Sequence, residues 1–449
     1  MKSERVDNEN FALSEKNNLK AIINCSIYDF NSYRENQYIL FNESIHEVGC
    51  MKEFKYDGAL QIHDAKNNLI MPGLVNCHSH IYSAFARGLS VPFGPKNFQD
   101  ILDQLWWKLD SKLDEEATYY SALIFGMDCI RNGVTTLIDH HASGKVIKGS
   151  LNSLENAICG KLNLKGIFCF ETSDRFDIDM CIEENLNYSA LKHENSAGLF
   201  GLHASMTLCN ETLKKISEYS KKVPIHIHIA ESIDDVCDCR KKYDCSIIER
   251  LNKYNLIKKN SLLAHCVHIN SYEADVIKQN GAFIVVNPTS NMNNAVGFPN
   301  MKLFMEKDLP IIIGNDGLGA NMTREYLNLA FGSKLKLNSP TSYELDDLCK
   351  SIKYGYEYAN KILNKNIGKI ESSYSSDFIE ISYNYGTEIN KDNILGHIFF
   401  GVFDNFTPKA VWSNGVQVLR EYELNFNYVE IYKRACEVSK RIWCAVGGD

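Results

Sequence analysis

Eight short apolar runs recur along the middle of the chain, and each has the length of a β-strand. They span residues 69–77, 134–139, 166–171, 198–203, 224–230, 261–267, 282–287 and 310–315. Helix-compatible segments separate most of these runs. The runs are nearly continuous in apolar residues, which is typical of parallel strands covered on both faces. Eight such strands alternating with helices predict an α/β fold built on a closed, TIM-like (β/α)8 barrel over residues 70–366.

The two ends of the chain follow a different pattern, in which short strand-like stretches are separated by turns. These stretches lie at 20–27, 37–41, 377–382, 397–403 and 409–412. The pattern predicts a small β-sandwich built from residues 1–69, with a flexible start of about 18 residues, and from residues 367–424. Helical spacing over 428–446 predicts a C-terminal helix within residues 425–449 that packs on the outside.

Composition and charge exclude several classes of protein. The net charge of −8 and the lack of a basic stripe argue against nucleic-acid binding. No apolar stretch reaches the length of a membrane span, and the start lacks a secretory signal. Fifteen scattered cysteines favour free thiols in a reducing cytoplasm over a disulfide framework. Cys237, Cys239 and Cys245 lie close together, but they lack the four-ligand spacing of a structural zinc site.

Titratable side chains lie at the ends of several predicted strands. His78 and His80 are spaced i, i+2, which places both side chains on one face of a strand and provides half of a metal site. His228, His265 and Asp316 lie near the ends of later runs. Catalytic groups that come from several strand ends on one face are typical of (β/α)8 enzymes.

The order of these groups carries a resemblance to a known family. The segments His-x-His, His-x-x-Glu, His and Asp resemble the amidohydrolase superfamily, in its deaminase-like aminohydrolase and chlorohydrolase branch. Segments 71–80, 85–88, 105–110, 133–143 and 287–297 are most similar to the SsnA-type aminohydrolases. The resemblance runs from about Asp64 to about Gly415. It implies a metal-dependent hydrolase of a non-peptide carbon–nitrogen bond in a small, heterocyclic substrate, on a barrel beside a sandwich formed by both chain ends.

The resemblance also implies a set of metal ligands and catalytic groups. One divalent ion, zinc by preference and iron as the second choice, would be held by His78, His80, His228 and Asp316. Such an ion lowers the pKa of a bound water toward neutrality. Glu231 would shuttle a proton from this water to the leaving nitrogen, and Asp316 would accept the water's proton as the nucleophile forms. His265 would stabilise the developing oxyanion or polarise the scissile bond.

Other histidines need to be separated from these ligands. His226 is predicted to be a hydrogen-bonded core residue, since the His-x-x-Glu pattern selects His228. His203 is either a substrate contact or a structural histidine, and neither His140 nor His141 is assigned to the metal. The run 198–203 lacks the bridging lysine of binuclear superfamily members, which favours a single metal ion.

The predicted substrate contacts are His203, Tyr82, Arg87, Trp107 and Asn291. The loop after the first strand would cover the barrel mouth, and an aromatic wall there suits a flat heterocycle. The two tryptophans, Trp106 and Trp107, could instead pack along a helix face, and the Asn-rich loop 287–297 could be a turn.

Alternatives to an aminohydrolase remain open at this point. They are a hydrolytic dehalogenase or cyclic-amide hydrolase on the same scaffold, and a non-catalytic metal-binding paralogue. The presence of Glu231 argues against the paralogue, which has no need of a proton shuttle. The expected partner is a small molecule, without nucleic acid or membrane, and a homodimer is left open.

Overall fold

The computed structural model describes residues 18–58 and 60–447, so the expectation of a flexible start concerns residues that lie almost entirely outside this range. The strands of the described residues, numbered in chain order, are β1 (Lys20–Tyr28), β2 (Tyr33–Phe41), β3 (Ile45–Cys50), β4 (Gln61–Asp64), β5 (Leu69–Pro72), β6 (Leu74–Ser79), β7 (Val134–His141), β8 (Lys165–Phe170), β9 (Ser196–Gly198), β10 (Phe200–Ala204), β11 (Ile225–Ile229), β12 (Leu262–His265), β13 (Phe283–Val286), β14 (Ile311–Ile313), β15 (Phe378–Ile381), β16 (Ala410–Ser413), β17 (Val416–Arg420) and β18 (Glu423–Leu424).

The predicted barrel is confirmed. Strands β6 to β9 form one parallel sheet, and β10 to β14 form a second. Parallel bridges between Ser79 and Asp316 and between Thr172 and Leu202 join the two sheets edge to edge. Strands β9 and β10 share the fourth position of the barrel, interrupted at Leu199. Most barrel-strand residues are buried, as expected when helices cover the outer face and side chains fill the interior.

Helices connect the barrel strands and cover the barrel. They are α1 (Phe98–Ile101), α2 (Trp107–Asp110), α3 (Glu115–Arg131), α4 (Ser150–Glu155), α5 (Ile178–Ala190), α6 (Asn210–Tyr219), α7 (Ile233–Tyr243), α8 (Ile247–Lys253), α9 (Ser271–Asn280), α10 (Pro288–Asn293), α11 (Met301–Glu306), α12 (Met322–Leu337), α13 (Leu345–Leu363), α14 (Ile394–His397) and α15 (Val429–Gly447). Within the described ranges, none of these helices is both long enough and apolar enough to cross a membrane.

The first predicted strand, 69–77, is wrong as a single element. Its first part, β5, pairs with β1 and β15, whereas its second part, β6, pairs with β7 in the barrel. The break falls at Gly73, where an added Cβ would lie 2.1 Å from Thr135 Oγ1. Only glycine fits this close approach, so the chain leaves one sheet and enters the other there.

Both chain ends meet in one sheet beside the barrel, as the resemblance implied. The strand order is β18-β17-β16-β15-β5-β1-β2-β3, and β4 pairs with β1. The prediction of a strand over 397–403 is wrong, because this stretch continues from α14 into a π-helical turn, Ile398–Val402. Ile398, Phe399 and Val402 are buried there and Phe400 is exposed, which is a helical rather than an alternating pattern.

The predicted C-terminal helix is confirmed as α15. Its buried positions, Ile431, Ala435, Val438 and Ile442, recur at helical spacing, and the helix packs on α3. Trp443 Nε1 donates a hydrogen bond to the carbonyl oxygen of Phe85 at 2.7 Å. The C-terminal helix is therefore attached to the segment that follows the first barrel strand.

Candidate active site

The predicted metal ligands converge at the carboxyl ends of the barrel strands. One nitrogen each from His78, His80 and His228 and one carboxylate oxygen of Asp316 lie within 4.8 Å of one another. The amides of Asn315 and Asp316 both donate to the carbonyl oxygen of His78 at 3.0 Å, which joins the end of β14 to β6. Asp316 has a φ of 57°, a strained value for a residue with a side chain that is typical of functional sites.

Two of these imidazoles are oriented by backbone carbonyl groups. His80 Nδ1 donates to the carbonyl oxygen of His140 at 2.7 Å, and His228 Nδ1 donates to that of His203 at 2.8 Å. When both rings are neutral, their Nε2 atoms therefore carry lone pairs, and these atoms face each other at 3.1 Å. Two lone pairs at this distance repel unless a cation lies beside them, so the donor set fits a bound metal ion.

The electrostatics of the site also favour a positive charge. Asp316 Oδ1 lies 3.0 Å from His80 Nε2, and Ser290 Oγ donates to Asp316 Oδ2 at 2.6 Å. Burial lowers the pKa of His80, but the Asp316 carboxylate outweighs it and raises the pKa to about 9. In the protein without metal, a proton therefore occupies the region that the four donor atoms surround.

His226 supports His78 from below, which confirms the prediction of a hydrogen-bonded core histidine. His78 Nδ1 and His226 Nε2 lie 2.8 Å apart, and His226 Nδ1 lies 3.6 Å from Cys169 Sγ. The Cys169 thiol in turn donates to the carbonyl oxygen of Asp139. When His78 donates to His226 and His226 donates to Cys169 along this series of hydrogen bonds, the lone pair of His78 Nε2 remains available to a metal ion.

Glu231 and His265 lie beside the four ligands. Glu231 Oε2 is 3.5 Å from His265 Nε2, and Asn294 Nδ2 donates to Glu231 Oε1 at 3.4 Å. Burial and the nearby Asp316 carboxylate raise the pKa of Glu231 well above its usual value. A buried carboxyl group with a raised pKa is suited to accept and release a proton near neutral pH.

Asn291 lies beneath His265 rather than at the substrate, which corrects one predicted contact. Asn291 is fully buried, and its amide nitrogen donates to His265 Nδ1 at 2.9 Å. Because Nδ1 accepts this bond, the ring proton lies on Nε2, the atom that faces Glu231. His265 Nε2 itself has no hydrogen-bond partner, so its proton is available to a substrate or water.

A cavity lies over the ligands and receives three of the predicted substrate contacts. Tyr82, Trp107 and His203 line its wall together with Trp106. Arg87 does not reach it, which corrects a second prediction. Its side chain is exposed and forms an ion pair of 2.6 Å with Asp128, because the chain turns outward after the 3-10 helical segment Ile81–Ala86.

Four polar residues near the cavity were missed by the sequence analysis. Asp110, Glu171 and Asp235 line the cavity, and Arg175 binds two of them from behind. Glu171 lies at the end of the predicted run 166–171, so the strand-end criterion that selected His78 would also have selected Glu171. Asp110 ends the short helix α2 and Arg175 lies in a loop, so no strand-end pattern marks either residue.

The remaining histidines and the cysteine group do not join the metal ligands. His140 Nε2 donates to the carbonyl oxygen of Leu202 at 2.9 Å, and His141 Nε2 is 3.0 Å from Ser143 Oγ. Among the residues that the structure describes, the side-chain groups close enough to share a metal ion contain no cysteine.

Comparison with known proteins agrees with this geometry. The model of the Amidohydrolase family matches residues 69–418. The 5'-deoxyadenosine deaminase of Methanocaldococcus jannaschii is 25% identical over 424 residues, covering 91% of this chain and 97% of the relative. The 5-methylthioadenosine/S-adenosylhomocysteine deaminase of Halothermothrix orenii is 26% identical over 442 residues, covering 92% and 97%.

A solved structure gives the same picture of the fold. An adenosine deaminase from Xanthomonas campestris with bound zinc superposes with a TM-score of 0.80 at 17% identity, covering 94% of this chain and 98% of the other. The predicted superfamily and its deaminase-like branch are thus confirmed. The chain belongs to the amidohydrolase family and is a metal-dependent hydrolase of a carbon–nitrogen bond in a heterocyclic substrate.

Proposed function

We propose that the protein deaminates an aminopurine nucleoside by hydrolysis, with one zinc ion bound by His78, His80, His228 and Asp316. The observation that carries the proposal is the pair of imidazole Nε2 atoms facing each other at 3.1 Å beside an aromatic-lined cavity. Relatives over nearly the whole chain are adenine-nucleoside deaminases, which supports a purine as the heterocycle. A zinc-containing structure of the same fold supports zinc over iron.

The metal ion, when bound, supplies Lewis-acid activation of a water molecule. Glu231 accepts a proton from this water and delivers it to the departing ring substituent, which leaves as ammonia. Its raised pKa suits both halves of this transfer. Asp316 is the second acceptor for the water's proton, since its Oδ1 lies among the ligand atoms.

His265 acts as a hydrogen-bond donor in this proposal. Its Nε2–H has no hydrogen-bond partner among the described residues. One ring nitrogen of His265 and one carboxylate oxygen each of Glu231 and Asp316 lie within 4.8 Å of one another. A donor placed in advance where negative charge develops stabilises the transition state without reorganisation. Tyr82, Trp107 and His203 form flat walls that suit a planar ring.

The setting of the enzyme is part of the proposal. All fifteen cysteines are free, which supports a reducing compartment such as the cytoplasm. A homodimer stays a prediction.

Elemental analysis and an ammonia-release assay test the proposal. The protein is expected to hold about one zinc per chain and to release ammonia from adenosine or 5'-deoxyadenosine, by the ligand count and the proton shuttle. His78→Ala and His228→Ala should each empty the site. Undiminished zinc in both variants would overturn the ligand set.

The same assay distinguishes the alternatives. Release of chloride from a chlorotriazine, without ammonia from any purine, would identify a hydrolytic dehalogenase. Ring opening of a dihydropyrimidine would identify a cyclic-amide hydrolase. Metal binding without turnover of any of these compounds would favour the non-catalytic paralogue.

A further inference from the structure

A buried group of three charged residues forms one side of the cavity. Arg175 donates through Nη2 and Nη1 to the two carboxylate oxygens of Asp110, at 2.7 and 3.0 Å, and through Nη1 to Glu171 Oε1 at 3.3 Å. Asp110 and Glu171 both line the cavity, and they are 1% and 2% exposed. These residues come from three different segments: the end of α2, the end of β8 and the loop before α5.

When both carboxyl groups are ionised, this group carries one negative charge in excess, because a single guanidinium faces two carboxylates. Among the residues that line the cavity there is no lysine or arginine, whereas Glu231, Asp235 and Asp316 add further carboxylates. Burial raises the pKa of Asp110 to about 6 and raises that of Glu171, although Arg175 opposes both shifts. This side of the cavity is therefore expected to repel an anion and to bind a hydrogen-bond donor or a cation.

One oxygen of this group is left for a ligand. Both oxygens of Asp110 accept hydrogen bonds from Arg175, whereas Glu171 binds it through Oε1 alone. Glu171 Oε2 has no hydrogen bond within the described part of the chain, and the Glu171 side chain is only 3% exposed. Because Glu171 lines the cavity, this oxygen is open to it, and a hydrogen-bond donor on a bound molecule can bind there.

Arg175 also fixes this oxygen relative to the aromatic wall. Its guanidinium carbon lies 4.5 Å from the ring centre of Trp107, so one residue holds both the indole and the carboxylate. Asp235 adds a second unsatisfied acceptor, since its Oδ1 is buried without a partner in the same cavity. The proposed metal ligands thus lie at one side of the cavity, and the hydrogen-bond acceptors Glu171 and Asp235 form a separate side.

Resting on the proposed function, we propose that Glu171 Oε2 accepts a hydrogen bond from a hydroxyl or ammonium group of the substrate, remote from the reacting carbon. The same carboxylate rejects substrates that carry a carboxylate or phosphate at that position. Glu171 is then a specificity-determining residue, and Arg175 is a positioning residue that acts through it.

Four compounds with the same adenine base test this inference. They are adenosine, 2',3'-dideoxyadenosine, 5'-amino-5'-deoxyadenosine and adenosine 5'-monophosphate. Comparison with adenosine then gives the separate effects of the ring hydroxyls, of a cation and of an anion. The 5'-amino compound should exceed the monophosphate in kcat/KM on the order of a hundredfold. Glu171→Gln keeps the size of the side chain but removes its charge, and it should reduce this ratio by about tenfold or more. Glu183→Gln, an exposed glutamate of α5, should leave the ratio unchanged.

Binding measured by calorimetry with the Glu231→Gln protein separates this inference from the proposed reaction. If no compound is deaminated but the amine still binds more tightly than the monophosphate, and Glu171→Gln removes the difference, the reaction is wrong and the inference stands. If purines are deaminated without regard to their charge or to their ring hydroxyls, the reaction stands and the inference is wrong. Failure of every compound to bind overturns the inference as well. Should Glu171→Gln fail to fold, the amine-to-monophosphate ratio of the wild-type protein decides.

A loss of affinity that is confined to 2',3'-dideoxyadenosine would identify the ring hydroxyls as the donors. A gain that is confined to the 5'-amino compound would identify a cation. Arg175→Gln should change KM more than kcat for the preferred compound, because it displaces Glu171 without touching the reacting atoms. An effect on kcat alone would contradict the positioning role.

Discussion

Each imidazole that we propose as a metal ligand is fixed through the ring nitrogen that does not face the metal position. His80 and His228 donate to the backbone carbonyl groups of His140 and His203, and His78 is bound to His226. The three rings are therefore held with Nε2 facing the metal position, which lowers the cost of organising the site. All three partners are histidines, of which His140 and His203 contribute a backbone carbonyl group and His226 contributes its ring.

Substitution of Glu231 by glutamine should separate proton transfer from metal binding. The amide keeps the shape of the side chain but cannot carry the proton, so turnover should fall on the order of a hundredfold or more while zinc content stays constant. Activity and elemental analysis on the same preparation measure both effects. Glu218→Gln, on the exposed face of α6, is the matched control. Loss of zinc together with activity would make Glu231 a ligand instead.

Replacement of Asn291 by leucine should remove the bond that fixes the His265 tautomer. The substitution is expected to reduce kcat by about tenfold or more with little change in KM, since supporting residues of this kind typically contribute that much. Steady-state kinetics with the best purine substrate provides the measurement. Asn293→Ala changes an exposed asparagine of the same helix and should leave kcat unaltered. Equal kcat in the two variants would argue against a directed proton on His265 Nε2.

At the level of the elements, the junction between β5 and β6 decides where the small sheet ends and the barrel begins. The Gly73 amide donates to the carbonyl oxygen of Asp377, and the Leu74 amide donates to that of Gly133. Adjacent residues thus bond to different sheets. The hydrophobic pattern cannot mark this change, because both strands are equally apolar.

Gly73→Ala should destabilise the protein by about 1–3 kcal/mol, which is typical of overpacking at a closely packed site. The added methyl group would lie 2.1 Å from Thr135 Oγ1, so β6 or β7 must shift. Urea unfolding followed by circular dichroism measures the change. Gly386→Ala adds a methyl group with no atom within 4 Å and serves as the control. Similar unfolding midpoints for both variants would show that the junction tolerates a side chain.

In the molecule as a whole, a buried ion pair joins the barrel to the small sheet. Lys165, at the start of β8, donates to both oxygens of Asp377 at 2.8 and 2.7 Å and to Asn414 Oδ1 at 2.5 Å. All three residues are buried and lie at the end of the barrel opposite the metal ligands. This contact attaches both chain ends to the barrel without taking part in the site.

Lys165→Met should cost about 3–5 kcal/mol, because it leaves the Asp377 carboxylate buried without a cation. The double variant Lys165→Met, Asp377→Leu should recover most of this loss, since replacing both partners removes the unpaired charge. Equilibrium urea unfolding of the single and double variants gives both values, with Lys161→Met as an exposed control. A double variant as unstable as the single one would show that the pair itself, rather than the lone charge, matters.

The sequence by itself determined the barrel and its metal ligands. Apolar runs repeat at a spacing that only alternating strands and helices satisfy, and the ligands lie at fixed positions relative to the ends of those runs. Strand direction brings the ends that carry His78, His80, His228 and Asp316 to one rim, and the family resemblance selects these four as the predicted ligands.

Only the tertiary structure decided which polar side chains face the cavity. Asp110, Glu171 and Arg175 come from separate segments and meet through side-chain hydrogen bonds that no local period encodes. Arg87 follows the first barrel strand and Asn291 lies in α10, yet the side chain of Arg87 contacts Asp128 and that of Asn291 contacts His265. The partners of side chains outside the strands depend on contacts between segments that are distant in sequence, which no local pattern encodes. The positions of strand ends follow from the backbone of the barrel and could therefore be predicted.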